Sequence, residues 1–300
     1  MRSILSLFAL LFINPLSVGS AKDQNEEPFF FIQLTDPQLG FFSGNKDLDQ
    51  EVANLEFAVA SVNRLRPAFV IVTGDMINRP GDASQIAEYK RVIAKVDPAI
   101  PVYHLAGNHE ITNTPTPETI KAYADSFGPD RYTFEYEGLF AIVLNSTIIH
   151  TPGMVEKEMD EQTLWLKQQL EIAKEKDSQH IVIFAHHPWF IKSVGEADEY
   201  FNIPAESRIQ YLKLFKEYGV KYLFCGHYHR NTVGRDQGFE SVITGPVGKP
   251  FSTDHSGLCI AVVREDVIEH TYHSFGKLPH ESPLTDEINQ QSEDEIVNAR

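Results

Sequence analysis

Five times along this chain, a short hydrophobic stretch ends directly at polar residues of a type that can bind metal ions. The stretches are rich in β-branched and aromatic residues, which predicts buried strands. The polar residues that follow them are Asp36, Asp75, Asn108 with His109, His186, and His227 with His229. Because ligand sites in open α/β sheets lie beyond the carboxyl ends of the strands, we expect these side chains to meet at one edge.

The rest of the hydrophobic pattern predicts an α/β fold. Apolar runs predict strands at 29–34, 69–72, 102–105, 140–144, 181–185, 222–225, 242–244 and 258–263. Apolar residues at helical spacing predict helices at 48–65, 84–96, 117–127, 160–176 and 209–218. Early alternation of strands and helices, followed by closely spaced strands, predicts a mixed sheet or two packed sheets flanked by helices.

The chain's size and charge limit what it can do. Its 300 residues can bury a full core, and no linker divides the single domain that we expect at 25–277. A formal charge of −16 repels phosphate backbones, which argues against a protein that coats nucleic acid. A phosphorylated substrate is compatible with this negative charge, because bound cations reverse the sign of the electrostatic potential inside a cleft. Two cysteines exclude a disulfide framework.

The two ends of the chain differ from the middle. Residues 1–20 combine one early charge, Arg2, with an apolar run, and small residues follow at Ser20 and just beyond at Ala21. This is the pattern of a secretory signal peptide. We therefore expect export to the periplasm or the exterior. No later stretch is long and apolar enough for a membrane span, so none is expected in the mature chain. Residues 279–300 are acidic and predict a mobile tail.

The polar residues at the strand ends suit metal ions of intermediate softness. Carboxylate, amide and imidazole together favour divalent or trivalent Mn, Fe or Zn over the all-oxygen shell of calcium. A carboxylate has two oxygens and can bridge a pair of ions, the arrangement used for in-line attack on phosphorus. Glycine precedes Asp75, Asn108 and His227, which allows close approach of the backbone. The pattern therefore predicts a site for two metal ions.

These blocks resemble the ordered signature of the calcineurin-like metallophosphoesterase superfamily, which reads D-x-H, G-D-x-x-[D/N], G-N-H-[D/E], H and G-H-x-H. The matching residues are Asp36-Pro37-Gln38, Gly74-Asp75-Met76-Ile77-Asn78, Gly107-Asn108-His109-Glu110, His186 and Gly226-His227-Tyr228-His229. Within the superfamily, the chain looks most similar to the calcineurin-like phosphoesterase domain-containing protein 1 group, whose members are described as serine/threonine protein phosphatases. The resemblance implies a four-layer sandwich of two packed mixed β-sheets flanked by helices.

The resemblance also implies a set of ligands. A first metal site would comprise Asp36, Gln38, Asp75 and His229, and a second metal site would comprise Asp75, Asn108, His186 and His227. Gln38 departs from the histidine found in most of the superfamily, so the first metal site should be weaker or should prefer oxygen-seeking ions. The implied reaction is attack on phosphorus by a water activated between the two metal ions, without a covalent phosphoenzyme.

Three further residues are candidates for catalysis. The resemblance places His109 beside the metal sites, where it would protonate the leaving oxygen or bind the phosphoryl group. Glu110 would be its partner. Arg230 follows the last ligand and is a candidate for binding the phosphate, with a surface ion pair as the alternative. For His187, the sequence leaves two roles open: a structural one, or a position facing the cleft. Segments 146–160 and 188–208 are candidate specificity loops, and Tyr200-Phe201 would either line a substrate groove or pack inside.

Three functions are compatible with the sequence. The leading hypothesis is a metal-dependent phosphomonoesterase acting on phosphoserine or phosphothreonine in proteins. An exported enzyme would meet few phosphoproteins, because these are scarce outside cells. The second hypothesis is therefore an exported phosphodiesterase or scavenging phosphatase for nucleotides, phospholipid headgroups or sugar phosphates. The third is a non-catalytic metal-binding interaction protein, for which Gln38 is the only support.

Overall fold

The computed structural model describes residues 27–251 and 253–285. The predicted signal peptide at 1–20 and most of the predicted acidic tail lie outside these residues. None of the helices in the described ranges has the length and apolar character needed to cross a membrane.

Two mixed sheets form the centre of the molecule. The strands of the first sheet are β1 (Phe29–Leu34), β2 (Val70–Val72), β3 (Val102–His104), β10 (Gly257–Val263) and β11 (Ile268–Ser274). Those of the second are β4 (Tyr132–Tyr136), β5 (Leu139–Val143), β6 (His180–Phe184), β7 (Tyr222–Cys225), β8 (Thr232–Asp236) and β9 (Phe239–Ile243). The first sheet has the order β11-β10-β1-β2-β3 and the second the order β4-β5-β6-β7-β9-β8.

The strands that lead into the predicted site run parallel within each sheet. In the first sheet β1, β2 and β3 are parallel neighbours, and in the second sheet β5, β6, β7 and β9 are. Antiparallel strands complete both sheets at the sides. Parallel neighbours bring their carboxyl ends to one edge, and this is where the polar residues follow.

Helices cover the outer faces of both sheets. They are α1 (Asp49–Leu65), α2 (Ala83–Ile93), α3 (Asn108–Ile111), α4 (Pro117–Phe127), α5 (Ser146–His150), α6 (Glu156–Glu175), α7 (Ala205–Glu217) and the short 3-10 helix η1 (Phe275–Lys277). Local sequence explains their starts. Asp82 accepts hydrogen bonds from the backbone of Ser84 and Gln85 at the start of α2, and Thr116 caps α4 ahead of Pro117.

The core forms three layers between and outside the sheets. Phe31 of the first sheet meets Phe184 and Phe224 of the second, with ring centroids 5.6 and 5.2 Å apart. The outer face of the first sheet packs against α1, α2 and α4, and that of the second against α5, α6 and α7. The result is the expected sandwich of helices, sheet, sheet and helices, so the predicted fold is confirmed.

The first part of the predicted tail contacts the domain. Arg64 of α1 donates a hydrogen bond to the carbonyl oxygen of Pro279 at 2.7 Å. Leu284 packs against the core beside the first sheet. Contacts with the folded domain therefore continue beyond the expected boundary at residue 277, at least as far as residue 284.

Candidate metal centre

The predicted ligands gather at the edge where the parallel strands of both sheets end. Asp36, Asp75 and Asn108 follow β1, β2 and β3 of the first sheet, while His186 follows β6 and His227 and His229 follow β7 of the second. Backbone bonds tie these ends together. The amide of Asp36 donates to the carbonyl oxygen of Gly74 at 3.2 Å, and the amide of His227 donates to the Asp36 carboxylate at 3.1 Å. The two sheets therefore meet at this cluster.

The second metal site has three acceptor atoms facing one another. Nε2 of His186 lies 3.0 Å from Oδ1 of Asn108 and 3.3 Å from Oδ2 of Asp75. Asp75, His186 and His227 are all buried, and their ligand atoms lie within 4.8 Å of one another. An imidazole nitrogen that faces two oxygens is repelled by them unless a proton or a metal ion lies among the three atoms. The donor set therefore fits a bound metal ion.

The pKa values of the metal-free cluster also indicate that positive charge is stabilised there. Burial favours the neutral ring of His186, but the Asp75 carboxylate outweighs burial and raises the pKa of His186 to about 9. Burial likewise opposes ionisation of Asp75, but His186 and His109 hold the pKa of its carboxyl well below its usual range. Burial and the neighbouring His186 lower the pKa of His227 to about 3, so this ring is neutral. A metal ion would replace the proton on His186.

The first metal site shares Asp75 with the second. Ligand atoms of Asp36, Asp75 and His229 lie within 4.8 Å of one another, and all three residues are buried. Nε2 of His229 lies 3.5 Å from Oδ1 of Asp36. Gln38 is also buried, and its Nε2 donates to Oδ1 of Asn78 at 3.3 Å, while its Oε1 has no hydrogen-bond partner among the described residues. That free acceptor fits the expectation of an amide ligand.

Backbone carbonyls fix the three imidazoles. Nδ1 of His186 donates to the carbonyl oxygen of Thr73 at 2.9 Å, and Nδ1 of His229 donates to that of Lys249 at 2.6 Å. Nε2 of His227 donates to the carbonyl oxygen of Tyr200 at 3.1 Å. A nitrogen that faces a carbonyl must carry the hydrogen, so the other nitrogen of each ring is the one that can bind a cation. Each ring is therefore prepared to bind a cation.

The loops that carry the ligands have unusual backbone geometry. A positive φ is rare for residues other than glycine and costs about 1–2 kcal/mol each. Five predicted ligands adopt it: Asp36 (48°), Gln38 (43°), Asp75 (51°), His227 (64°) and His229 (52°). Such strain is typical of functional sites, where the surrounding structure enforces it.

Two glycines let the loops pack against the carboxylates. A Cβ at Gly107 would overlap Oδ1 of Asp75, and a Cβ at Gly226 would lie 2.5 Å from Oδ2 of Asp36. Neither position would admit a side chain without moving a ligand. The glycines that precede Asn108 and His227 in the sequence are therefore required by close approach.

His109 and Glu110 have different surroundings. The amide of His109 donates to Oδ1 of Asp75 at 2.9 Å, and its Nδ1 donates to the carbonyl oxygen of Asn78 at 2.7 Å. Its ring is partly exposed at the cluster. Glu110 is buried, and its carboxylate accepts four backbone amides, those of Asp75, Met76, Ile77 and Gly107. Glu110 therefore holds the Asp75 loop, whereas His109 is anchored to that loop through its amide and Nδ1.

Arg230 and His187 differ in exposure and in their partners. Arg230 is exposed, donates to the hydroxyl of Tyr228 at 2.9 Å and lies 5.0 Å from the centroid of that ring. His187 is buried, and its ring centroid lies 4.4 Å from that of His227. Burial and the neighbouring His227 and His186 hold the pKa of His187 well below its usual range. His187 therefore packs as a neutral ring beside the second metal site.

Sequence reasoning missed Ser146. Its hydroxyl accepts the amides of His186 and His187 at 3.1 and 2.9 Å and lies 2.9 Å from Nδ1 of His187. The available signal was its position directly beyond β5, at the same edge as the ligands. The carbonyls of Thr73, Lys249 and Tyr200 had no signal, because every residue carries such a group.

Aromatic rings border the cluster. Phe251 stacks on the metal-ligand candidate His229 with a centroid distance of 4.3 Å and an interplanar angle of 10°, and Phe41 meets the same ring at 5.7 Å. On the other side, Tyr200 and Phe201 lie 4.9 and 5.5 Å from His227. The loop aromatic residues therefore reach the site. Trp189 and Phe190, by contrast, are fully buried in the core.

Carboxylates and imidazoles that meet across the edge of two packed mixed sheets define a metal-dependent hydrolase. A family model described as calcineurin-like phosphoesterase matches residues 31–231. The chain therefore belongs to the calcineurin-like phosphoesterase family, and it is a hydrolase of phosphoesters.

Curated relatives extend the similarity over most of the chain. The serine/threonine-protein phosphatase CPPED1 of Danio rerio is 34% identical over 278 residues, covering 87% of this chain and 90% of that protein. The protein of the same name from Homo sapiens is 36% identical over 267 residues, covering 84% and 85%. The expected superfamily and group are both confirmed by these matches.

Solved structures agree on the fold. A dimetal phosphatase from Danio rerio superposes with a TM-score of 0.61 at 17% identity, covering 83% of this chain and 97% of that one. A purple acid phosphatase from yellow lupin seeds superposes with a TM-score of 0.63 at 15% identity, covering 84% and 52%. At these identities the likeness concerns the fold alone.

Proposed function

We propose that this protein is a phosphomonoesterase with two metal ions that acts on phosphoserine or phosphothreonine in proteins. One observation supports the binding of two metal ions. Asp75 belongs to both clusters of buried ligand atoms, one with His186 and His227 and the other with Asp36 and His229. Asp75 would therefore help to hold both ions, as a carboxylate shared by two metal sites does.

The chemistry of the donor set supports Mn, Fe or Zn as the bound ions. Three imidazole nitrogens accompany two carboxylates, which exceeds the nitrogen content of typical calcium or magnesium sites. The second metal site has two of these nitrogens, from His186 and His227. The first metal site has one, from His229, because glutamine stands at position 38. The two sites should therefore differ in affinity, with the second metal site tighter.

The chain's own groups account for the rest of the reaction. When bound, the metal ions would lower the pKa of a water and neutralise charge on the phosphoryl oxygens. His109 is oriented through Nδ1, which donates to the carbonyl oxygen of Asn78, so Nε2 is the atom that would give a proton to the leaving oxygen when both ring nitrogens carry hydrogen. Glu110 and the backbone amides it binds keep Asp75 in place during the reaction.

The choice of phosphoproteins as substrates is supported by the relatives. The matched proteins from zebrafish and human are named serine/threonine-protein phosphatases. The borders of the site also carry exposed groups that suit a peptide. Tyr200 and Phe251 are 49% and 43% exposed, and Lys249 lies 5.5 Å from the ring centroid of Phe41.

A substrate panel tests this proposal. Metal-free protein is reconstituted with Mn²⁺, Zn²⁺ or Fe²⁺ and assayed on a phosphothreonine peptide, p-nitrophenyl phosphate and a phosphodiester. We expect hydrolysis of the peptide and the monoester, and loss of both activities in Asp75→Ala. Activity on the diester alone would replace the proposal with a phosphodiesterase. Two bound metal ions without any turnover would favour the non-catalytic alternative.

We also propose that the protein is exported. The proposal is supported by the signal-peptide pattern at residues 1–20, which lie outside the described part of the structure. Expression with a secretion-competent host followed by N-terminal sequencing tests it. We expect mature protein outside the cytoplasm that begins at Ala21 or Lys22. Retention of Met1 in the cytoplasm would contradict export.

A further inference from the structure

Tyr200 forms hydrogen bonds with two predicted ligands of the second metal site, His227 and Asn108. It lies in the segment between β6 and α7, which the sequence marked as a candidate specificity loop. Its carbonyl oxygen accepts a hydrogen bond from Nε2 of His227 at 3.1 Å. Its phenolic oxygen accepts a hydrogen bond from Nδ2 of Asn108 at 3.3 Å. One residue outside the predicted ligands therefore holds two of them.

The hydroxyl of Tyr200 donates one hydrogen bond and accepts another. Its hydroxyl hydrogen points to Oδ1 of Asn113, 3.5 Å away, which leaves a lone pair for Nδ2 of Asn108. With its nitrogen end held by Tyr200, the Asn108 amide presents Oδ1 to the cluster, 3.0 Å from Nε2 of His186. A reversed amide would place a donor hydrogen where the metal ion binds. The phenol therefore selects the orientation in which Asn108 can act as a ligand.

The backbone that carries Tyr200 is fixed by its own loop. The Glu196 carboxylate accepts the amides of Ile191, Lys192 and Ser193 and the side-chain amide of Asn202. Asn202 in turn accepts the amide of Glu199 at 2.9 Å, next to Tyr200. Fully buried Arg208 of α7 donates to the carbonyl oxygen of Glu196 at 2.7 Å. These bonds hold Tyr200 over the site.

We propose that Tyr200 is a positioning residue that sets the affinity of the second metal site by orienting Asn108. The inference rests on the proposed two-metal site, and it concerns a residue that does not itself bind the metal. Hydrogen-bond partners of metal ligands typically affect metal affinity about 10–100-fold. Loss of the phenol alone should therefore weaken one of the two metal-binding steps.

Tyr200→Phe tests this inference, because it removes the hydroxyl and keeps both the ring and the carbonyl that holds His227. Metal-free protein is titrated with Mn²⁺ or Zn²⁺ by calorimetry. We expect one binding step to weaken about tenfold or more and the other to stay unchanged. The matched control is Tyr218→Phe at the end of α7, whose hydroxyl contacts Glu171 at 3.4 Å; both steps should match the wild type.

A second background separates orientation from a general effect on the loop. In Asn108→Asp, the carboxylate has an oxygen at both ends and needs no partner to select its orientation. Adding Tyr200→Phe to Asn108→Asp should therefore change metal affinity by less than about twofold. An equal loss in both backgrounds, or no loss in Tyr200→Phe alone, would overturn the inference. Wild-type protein that binds no metal would instead overturn the proposed function.

Discussion

Glu110 shows how one buried side chain outside the predicted ligand set can hold the site together. Its two oxygens accept four backbone amides from two different loops, the one after β2 and the one after β3. Burial and the neighbouring Asp75 raise the pKa of Glu110 to about 7, whereas the amides stabilise its ionised form. The sequence predicted Glu110 as a partner of His109, but the contacts make it the support of Asp75.

We expect Glu110→Gln to destabilise the metal-free protein by about 2–4 kcal/mol, because the new amide group would face backbone donors that lose their acceptor. Urea denaturation measures the change. Glu175→Gln, at an exposed position near the end of α6, should change stability by about 0.5 kcal/mol or less. Equal stability of Glu110→Gln and the wild type would show that the four bonds contribute nothing.

His109 is the residue for which a direct part in the reaction is predicted. Because its ring bonds Asn78 and not the ligand atoms, His109→Ala should keep both metal ions. We expect kcat to fall about 10²–10⁴-fold, the range for loss of a general acid. Phosphatase assays combined with metal analysis of the same sample measure both quantities. Full activity would remove His109 from the mechanism.

At the scale of single residues, the sequence predicted side chains that can bind metal ions. It did not predict the backbone groups and backbone conformations that position them. Asp36, Asp75, Asn108, His186, His227 and His229 were predicted as ligands because few side chains can bind such metals and each follows a strand. The carbonyl of Thr73 was invisible, because any residue would supply it. The positive φ of five predicted ligands was also invisible, because it is imposed by contacts between distant loops.

At the scale of elements, the sequence found the buried strands and missed exposed ones. The three strands missed, β4, β8 and β11, each lie at the edge of a sheet. Their sequences, such as TVGRD in β8, mix polar residues with apolar ones because one side of an edge strand has no neighbouring strand. Hydrophobic runs therefore identify the central strands and one edge strand, β3, whereas the other three edge strands need knowledge of the pairing.

The turn between β3 and α3 tests how tightly the loops pack. In Gly107→Ala, the added methyl group would overlap the Asp75 carboxylate. We expect a loss of about 1–3 kcal/mol in stability together with weaker binding at both metal sites, because Asp75 is shared. Gly276→Ala, where an added Cβ meets nothing within 4 Å, is the control. Unchanged metal binding by Gly107→Ala would contradict the close packing described above.

His104 at the end of β3 gives a pH dependence. Burial and the charge of Lys90 lower the pKa of His104 to about 4, against about 6.5 in an unfolded chain. Between these values the unfolded chain binds a proton that the folded chain does not, so stability falls as the pH falls from 6.5 to 4. Metal-free wild type should lose about 1–3 kcal/mol more than His104→Gln between pH 7 and pH 4. Equal losses in urea denaturation would contradict this.

At the scale of the whole molecule, the metal centre joins the two sheets. The Asp36 carboxylate of the first sheet accepts the amide of His227 from the second, and Asp75 faces His186 across the same edge. Bound cations would add attraction between the sheets, and ligands that bind only the folded state raise its stability. The sequence predicted this convergence because parallel strands end at a common edge, but not that both sheets would contribute.

The central claim is that one carboxylate serves two metal ions, and the most direct test is the number of ions bound per chain. Wild type and Asp75→Ala are loaded with Mn²⁺ or Zn²⁺, freed of excess metal and measured by inductively coupled plasma mass spectrometry, with the exposed Asp125→Ala as control. We expect two ions in the wild type and the control, and fewer than one in Asp75→Ala. Two ions retained without Asp75, or none in the wild type, would contradict it.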